Sequence, residues 1–245
     1  MHLLTQIGRY LLMLKGMISK PENKKMYWKE FMTQCYEIGF GAMPIVLIIS
    51  FFLGAVTTVQ TAYQLVSPLI PKTTISMIVR DTIMLELSPT VVCVVLAGVV
   101  GSKIASELGN MRVSEQIDAI EIMGINTKSY LILPRVLGAL VVIPALIVLS
   151  MFLALIGGRI AGSLANILST ESYDIGLRQN FKPFNVFFSL IKAYTFAFLI
   201  SSISAYFGYY VKGGSLEIGR SSTTAVIVSC ILILLADYVL AALLL

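Results

Sequence analysis

Histidine and cysteine are scarce in this chain, which has one histidine and three cysteines among 245 residues. The histidine, His2, lies at one end of the chain, so the sequence predicts no histidine-based catalysis. Cys35, Cys93 and Cys230 are scattered, which indicates neither a disulfide framework nor a metal site. The Walker A pattern G-x-x-x-x-G-K-[ST] is also missing, so we expect no nucleotide or other cofactor to bind to this chain itself.

Charged residues are also few, at 13% of the chain, whereas 57% of its residues are hydrophobic and its mean hydropathy is +0.88. A helix needs about 20 apolar residues to cross a membrane. Five regions meet this requirement, near residues 39–66, 83–105, 130–167, 184–211 and 222–245. A β-barrel would show alternating polar and apolar residues, and the run PIVLIISFFLGAV does not alternate. The sequence therefore predicts an all-α integral membrane protein with five transmembrane helices.

The basic residues predict the orientation of these five helices. Twelve Lys and Arg residues fall on the side of the N-terminal segment and five on the other. Because basic residues in short loops stay preferentially in the cytoplasm, we expect a cytoplasmic N-terminus and a periplasmic C-terminus. The same distribution accounts for the net charge of +5 without a nucleic-acid partner.

Residues 1–38 precede the predicted transmembrane domain, residues 39–245. Apolar residues recur here at helical spacing, namely Leu4, Ile7, Leu11, Leu14 and Ile18, and a basic cluster around Lys20 follows. Lys15 interrupts the apolar run, so we expect no cleavable signal peptide. The pattern predicts an N-terminal helix that lies in the cytoplasmic interface, or alternatively a short packed helix.

Residues 107–124, ELGNMRVSEQIDAIEIMG, form a charged segment between predicted spans two and three. Helical spacing gathers apolar residues on one side, namely Val113, Ile117, Ile120 and Met123. It gathers acidic residues on the other, namely Glu115, Asp118 and Glu121. Ser114 is a candidate N-cap, Gly124 a candidate stop, and Ile122 an apolar residue among the carboxylates. The segment is predicted to be a short amphipathic cytoplasmic helix, and it is either a docking surface or a solvated loop helix without a partner.

Three stretches resemble the MlaE (YrbE) family of ABC-transporter permeases, the lipid-transport permeases that work with MCE proteins. The first, ELGNMRVSEQIDAIEIMGINTKSYLILPRVLG, is similar to the family pattern E-[LI]-G-x-M-x-V-x-E-Q-I-D-A followed by Y-L-x-x-P-R. The second is GYYVKGGSLEIGRSSTTAVIVSCILILLADYVL, and the third is GAVTTVQTAYQL in span one. With the five predicted spans, the resemblance covers most of the chain beyond residue 38.

The resemblance implies a homodimeric permease in a bacterial inner membrane, since no plastid transit peptide is evident. It implies that a separate cytoplasmic ATPase binds ATP and magnesium and drives the permease. The expected cargo is lipid, with phospholipid as the expected class, carried to or from an MCE-domain protein on the periplasmic side. The residues that match the family's coupling element are Glu107, Gly109, Glu115, Gln116, Asp118, Glu121 and Ile122.

The chain also departs from the family near the start of span two. Relatives commonly have R-E-[LI]-G-P here, and this chain has LELSP, with Leu85 in place of the arginine. A second family arginine is replaced by Val99. We therefore expect Glu86 to lack its usual neighbouring cation.

A few polar residues inside the predicted spans are candidates for the lipid path. Glu86 either faces a cavity or lies at the membrane interface. Gln60 and Tyr63 fall on nearly one face of span one, where they either line the exit of the lipid path or hydrogen-bond between helices. Lys192 and Asp237 are equally ambiguous: Lys192 can extend towards the membrane surface, and Asp237 is expected close to the outer surface.

Two other classes of function are compatible with a membrane protein. An ion- or proton-coupled carrier or channel would work without an ATPase, but it requires several charges on facing helices, and few are available. An intramembrane enzyme requires a convergent catalytic set within the spans, and no such set stands out. We therefore predict a non-catalytic transport subunit.

Overall fold

The structure is a computed structural model that describes residues 2–17, 24–65 and 71–244. Within these ranges the chain is almost entirely helical and contains no strand. Its helices are α1 His2–Met17, α2 Lys24–Gln64, α3 Thr73–Val113, α4 Gln116–Ile122, α5 Lys128–Leu164, α6 Thr170–Arg178, α7 Pro183–Tyr209 and α8 Ser215–Leu244. Short π-helical stretches interrupt α3 at Ile83–Val91 and Ala97–Gly101, and α5 begins with another.

In the part of the chain that the structure describes, α2, α3, α5, α7 and α8 are long and apolar enough to cross a membrane. This confirms the predicted all-α fold with five spans. The helix ends differ from the predicted ones, because α2 begins at Lys24 and α3 extends from Thr73 to Val113. An established helix continues into polar sequence at little cost, so an apolar run marks the middle of a span better than its ends.

The chain divides into two compact units, and the long helices contribute residues to both. The first unit consists of Met1–Ala42, Val94–Ile143 and Thr195–Ala236. The second consists of Met43–Cys93, Pro144–Tyr194 and Asp237–Leu245.

Helix α1 belongs to the first unit and packs by one side only. Met13 and Met17 are buried, and the hydroxyl of Tyr10 lies 2.8 Å from that of Ser202 on α7. Ile7 and Leu11, on the predicted apolar face, remain exposed. Predicted members Ile18 and Lys20 lie outside the described residues. Helix α1 is thus anchored to the protein through Tyr10, Met13 and Met17.

Close packing of α3 against α7 also shapes the first unit. A Cβ atom added at Gly208 would lie 2.6 Å from the backbone oxygen of Ala105. One added at Gly101 would lie 2.9 Å from the hydroxyl of Ser204. The two helices therefore approach each other closely at glycines, which have only a hydrogen atom in place of a side chain.

In the second unit, α2 packs closely against α5. A Cβ atom added at Gly54 would overlap the backbone carbonyl of Ala154, and one added at Gly157 would overlap that of Phe51. Glycine is required at both positions because two helix backbones meet there. This contact fixes the helix that carries Gln60 and Tyr63.

A buried arginine joins α3 to the end of α6 in the second unit. Arg80 is 2% exposed, and its Nη1 atom donates to the carbonyl oxygens of Leu177 and Gln179, each at 2.8 Å. Asp81 balances its charge at 2.9 Å. The carbonyls at a helix C-terminus lack partners within the helix and carry partial negative charge, so a guanidinium is well suited to them. Arg80 therefore holds the turn after α6 against α3.

Candidate functional site

Lys192 on α7 is the centre of a charged cluster within the spans of the second unit. Its side chain is fully buried, and Nζ lies 2.9 Å from Glu86 Oε1 and 2.6 Å from Asp237 Oδ1. The same ammonium donates to the carbonyl oxygen of Leu85 at 2.9 Å and lies 4.7 Å from the centre of the Phe188 ring. An ionised side chain inside a membrane is costly unless it is paired, and here two carboxylates pair with one ammonium.

Glu86 lacks its usual neighbouring cation, as expected, but another cation takes its place. Leu85 does replace the family arginine, but Lys192 supplies a positive charge from a helix 106 residues further along the chain. Of the alternatives left open for Lys192, the structure does not favour a side chain that extends towards the membrane surface, because Lys192 is 0% exposed and paired. The signal that could have suggested this cluster was the presence of Lys192 and Asp237 in separate apolar runs, since such charges are rarely left unpaired.

Glu86 differs from its two partners because part of it remains accessible. Its side chain is 46% exposed, compared with 16% for Asp237. It lies in the π-helical stretch Ile83–Val91, which also contains Pro89. π-Helical turns within α-helices are frequent at functional sites. The arrangement gives one carboxylate that is held by Lys192 and can still meet another polar group.

Gln60 and Tyr63 lie together on α2, in the second unit, as predicted from their spacing. Both are exposed, Tyr63 at 83%, and they line an open apolar cavity of ≈ 490 Å³ with Ala55, Val56, Val59 and Ala161. Neither side chain makes a hydrogen bond to another helix among the described residues. Glu86 does not line this cavity.

The sequence predicted one helix in the segment 107–124. The structure instead has the end of α3, a turn and the short helix α4. Glu115 has a left-handed backbone with φ of 58°, which separates the two helices. Ser114 is not the N-cap of α4; its hydroxyl donates back to the carbonyl of Asn110 at 2.7 Å. Gly124 follows the end of α4 with φ of +80°, as expected for a glycine that stops a helix.

The predicted apolar face of this segment is only partly covered. Ile117 is fully buried, but Met123 is 66% exposed. Met123 lies beyond the last residue of α4 and so leaves the helical face that Ile117 occupies. Ile122 is 87% exposed, so a large apolar side chain projects into the surroundings of α4.

Most of the predicted acidic residues have partners within the first unit. Asp118 pairs with Arg112 at 2.6 Å, and Glu107 lies 3.6 Å from Arg135. Glu121 accepts hydrogen bonds from the hydroxyls of Tyr209 and Thr127. Glu115 is exposed and makes no ion pair with any described residue.

The remaining coupling candidates lie on different sides of the turn. Glu107 and Gln116 line an open cavity of ≈ 370 Å³ together with Asn110, Met111 and Ser114. Gly109 is buried, and a Cβ atom added there would lie 3.2 Å from the side chain of Ile218. The turn therefore offers an open cavity on one side and an exposed isoleucine at the end of α4.

A fold of five apolar helices, with the few charges inside it drawn into pairs, is that of a multi-pass membrane protein. The chain matches the family model described as Permease MlaE over residues 31–243, which is most of its length. It therefore belongs to the MlaE permease family, and the resemblance found in the sequence is confirmed. It is a membrane-embedded permease subunit.

Curated relatives agree with this assignment. The chain is 33% identical to a "Probable ABC transporter permease protein" of Rickettsia bellii, with 96% of this chain and 90% of that protein covered. It is 32% identical to a protein of the same description from Synechocystis, with 94% and 84% covered. It is 30% identical to the chloroplastic protein TRIGALACTOSYLDIACYLGLYCEROL 1 of Arabidopsis thaliana, with 88% of this chain and 61% of that protein covered.

Proposed function

We propose that the chain is the subunit through which an ABC transporter moves lipid between a bacterial inner membrane and an MCE-protein assembly. Phospholipid is the expected class. In this proposal the permease is a homodimer with its N-terminus in the cytoplasm and its C-terminus in the periplasm. A separate cytoplasmic ATPase binds ATP and magnesium and docks on α4. The observation that carries the proposal is an 87% exposed isoleucine on a short helix of an MlaE-family permease.

The surface around α4 supports the docking of a protein partner. Ile122 is a large apolar residue that no other part of the described chain covers, and Glu115 beside the helix has a carboxylate without an internal partner. Hot spots of protein interfaces typically combine a buried apolar anchor with polar groups around it. The cavity lined by Glu107 and Gln116 provides a further concave surface on the other side of the turn.

The second unit supports a lipid cargo. The wall formed by Val56, Val59 and Tyr63 presents an apolar surface on which acyl chains can lie. Glu86, which is 46% exposed and held by Lys192, presents a polar group that a lipid headgroup can contact. The name of the Arabidopsis relative contains that of a lipid, which favours the same class of cargo.

The first test of this proposal is the composition and nucleotide dependence of the transporter. We expect the affinity-purified chain to retain an ATPase subunit, and the complex in proteoliposomes to move fluorescent phospholipid only when ATP is supplied. The chain without its partner should move none. Transport by the chain alone, independent of nucleotide, would contradict the proposal and favour an ion- or proton-coupled carrier.

The second test concerns orientation. In a variant without the three native cysteines, Glu171→Cys on α6 should react with an impermeant thiol reagent in intact spheroplasts, because that position is exposed and expected in the periplasm. Ser114→Cys, also exposed, is the matched position and should react only after lysis. The opposite labelling pattern would show that the proposed orientation is inverted.

A further inference from the structure

Glu121, Thr127 and Tyr209 form a hydrogen-bonded group in the first unit. One carboxylate oxygen of Glu121 accepts from the Tyr209 hydroxyl at 2.8 Å and from the Thr127 hydroxyl at 2.9 Å. The two hydroxyls lie 2.7 Å apart. Thr127 is 2% exposed and Tyr209 is 4% exposed, so the two hydroxyls are buried, whereas Glu121 itself is exposed. Hydrogen bonds to a charged acceptor are stronger than those between neutral groups.

The group joins two helices that are far apart in the sequence. Glu121 lies on α4, and Tyr209, the last residue of α7, lies 88 residues later. The other polar contact of α4 is local, because Asp118 pairs with Arg112 at the end of the preceding helix, six residues away. Glu121 therefore ties α4 to a different span.

Both ends of this connection are fixed. Ile117 lies one helical turn before Glu121 and is fully buried, which seats α4 on the protein. Gly208, next to Tyr209, abuts the backbone of Ala105, which seats the end of α7 against α3. A displacement of α4 is therefore expected to move the end of α7 as well.

The environment keeps Glu121 in the charged form that this geometry requires. The hydrogen bond from Tyr209 is the main reason why the pKa of its carboxyl lies below the ordinary value. Partial burial acts in the opposite direction, while Thr127, Arg112 and Lys128 lower the pKa further. An ionised Glu121 accepts from both hydroxyls at neutral pH.

We propose that Glu121, Thr127 and Tyr209 transmit the movement of α4 to α7. The inference rests on the proposed function, in which an ATPase docks on α4. The inference identifies α7 as the span that receives the movement. Helix α7 also carries Lys192. Tyr209 and Thr127 are positioning residues, because they act through Glu121 and touch no cargo.

The test is to remove one hydroxyl and to measure lipid transport per ATP hydrolysed. Tyr209→Phe should lower this ratio about tenfold, as expected for the loss of a hydrogen bond to a charged group, while ATPase retention and ATP hydrolysis persist. Tyr210→Phe is the matched control, since the Tyr210 hydroxyl makes no hydrogen bond to the described residues. The control should behave as the unmodified chain does.

Further variants separate transmission from folding. Thr127→Val removes the other hydroxyl and should lower the same ratio. Because both hydroxyls act through Glu121, the double variant Tyr209→Phe with Thr127→Val should lower the ratio by about as much as the more severe single variant does. If Tyr209→Phe does not fold, Thr127→Val alone decides. An unchanged transport ratio in correctly folded Tyr209→Phe or Thr127→Val would overturn the inference. If the unmodified chain fails to retain an ATPase, it is the proposed function that fails instead.

Discussion

Ile122→Asp is expected to abolish ATP-driven transport by releasing the ATPase subunit. An apolar anchor at the centre of a protein interface contributes about 2 kcal/mol or more, so its loss weakens binding by about 30-fold. The change also places a carboxylate where the partner is expected to have an apolar pocket. Because the side chain is 87% exposed, the permease itself should fold as before. The measurement is the amount of ATPase that co-purifies with the variant in detergent.

Ile175→Asp provides the matched control for this experiment. Ile175 is an exposed isoleucine on α6, 54% accessible, and it belongs to the second unit. The same chemical change there should leave ATPase retention intact. Equal retention by the unmodified chain and Ile122→Asp would show that α4 is not the docking element.

The positions of the spans could be predicted because they depend on local composition. Each apolar run is long enough to cross a membrane by itself, and no distant residue is needed to recognise it. Helix ends depend on distant contacts. Residues 73–82 look too polar for a span, and Arg80 is accommodated there because Leu177 and Gln179 offer it carbonyl oxygens and Asp81 balances its charge.

The turn at Ser114 shows why local signals mislead at helix boundaries. A serine hydroxyl can cap the start of a helix, or it can donate to the carbonyl four residues earlier, and the sequence does not distinguish the two. Here the hydroxyl donates to Asn110. The helix boundary then falls at Glu115, a residue type that gives no signal for a left-handed backbone.

The charged cluster could not be assembled from the sequence because its members come from three helices. A comparison with the family pattern considers each position separately, so the leucine at position 85 indicates only that the family arginine is lost. The structure shows that the charge near Glu86 comes from Lys192. In the same way, nothing in the sequence near Tyr209 indicates that its hydroxyl reaches α4.

Lys192→Met is expected to destabilise the protein and to stop lipid transport. The change removes the ammonium that pairs with Glu86 and Asp237 and fills its space with an unbranched apolar side chain. Breaking a buried ion pair in this way typically costs about 3–5 kcal/mol. The cost here should lie near the lower end, because Glu86 is 46% exposed and water can solvate it. Thermal unfolding in detergent measures the loss of stability, and phospholipid transfer in proteoliposomes measures the loss of function.

A second substitution separates the two effects of Lys192→Met. Adding Asp237→Asn removes the more buried of the two carboxylates left without a partner, so the double variant should recover much of the lost thermal stability. Transport should not recover, because the ammonium that holds the accessible carboxylate of Glu86 is still missing. Recovery of both would assign the cluster to stability alone, and an unchanged unfolding temperature in Lys192→Met would show that the ion pairs do not stabilise the spans.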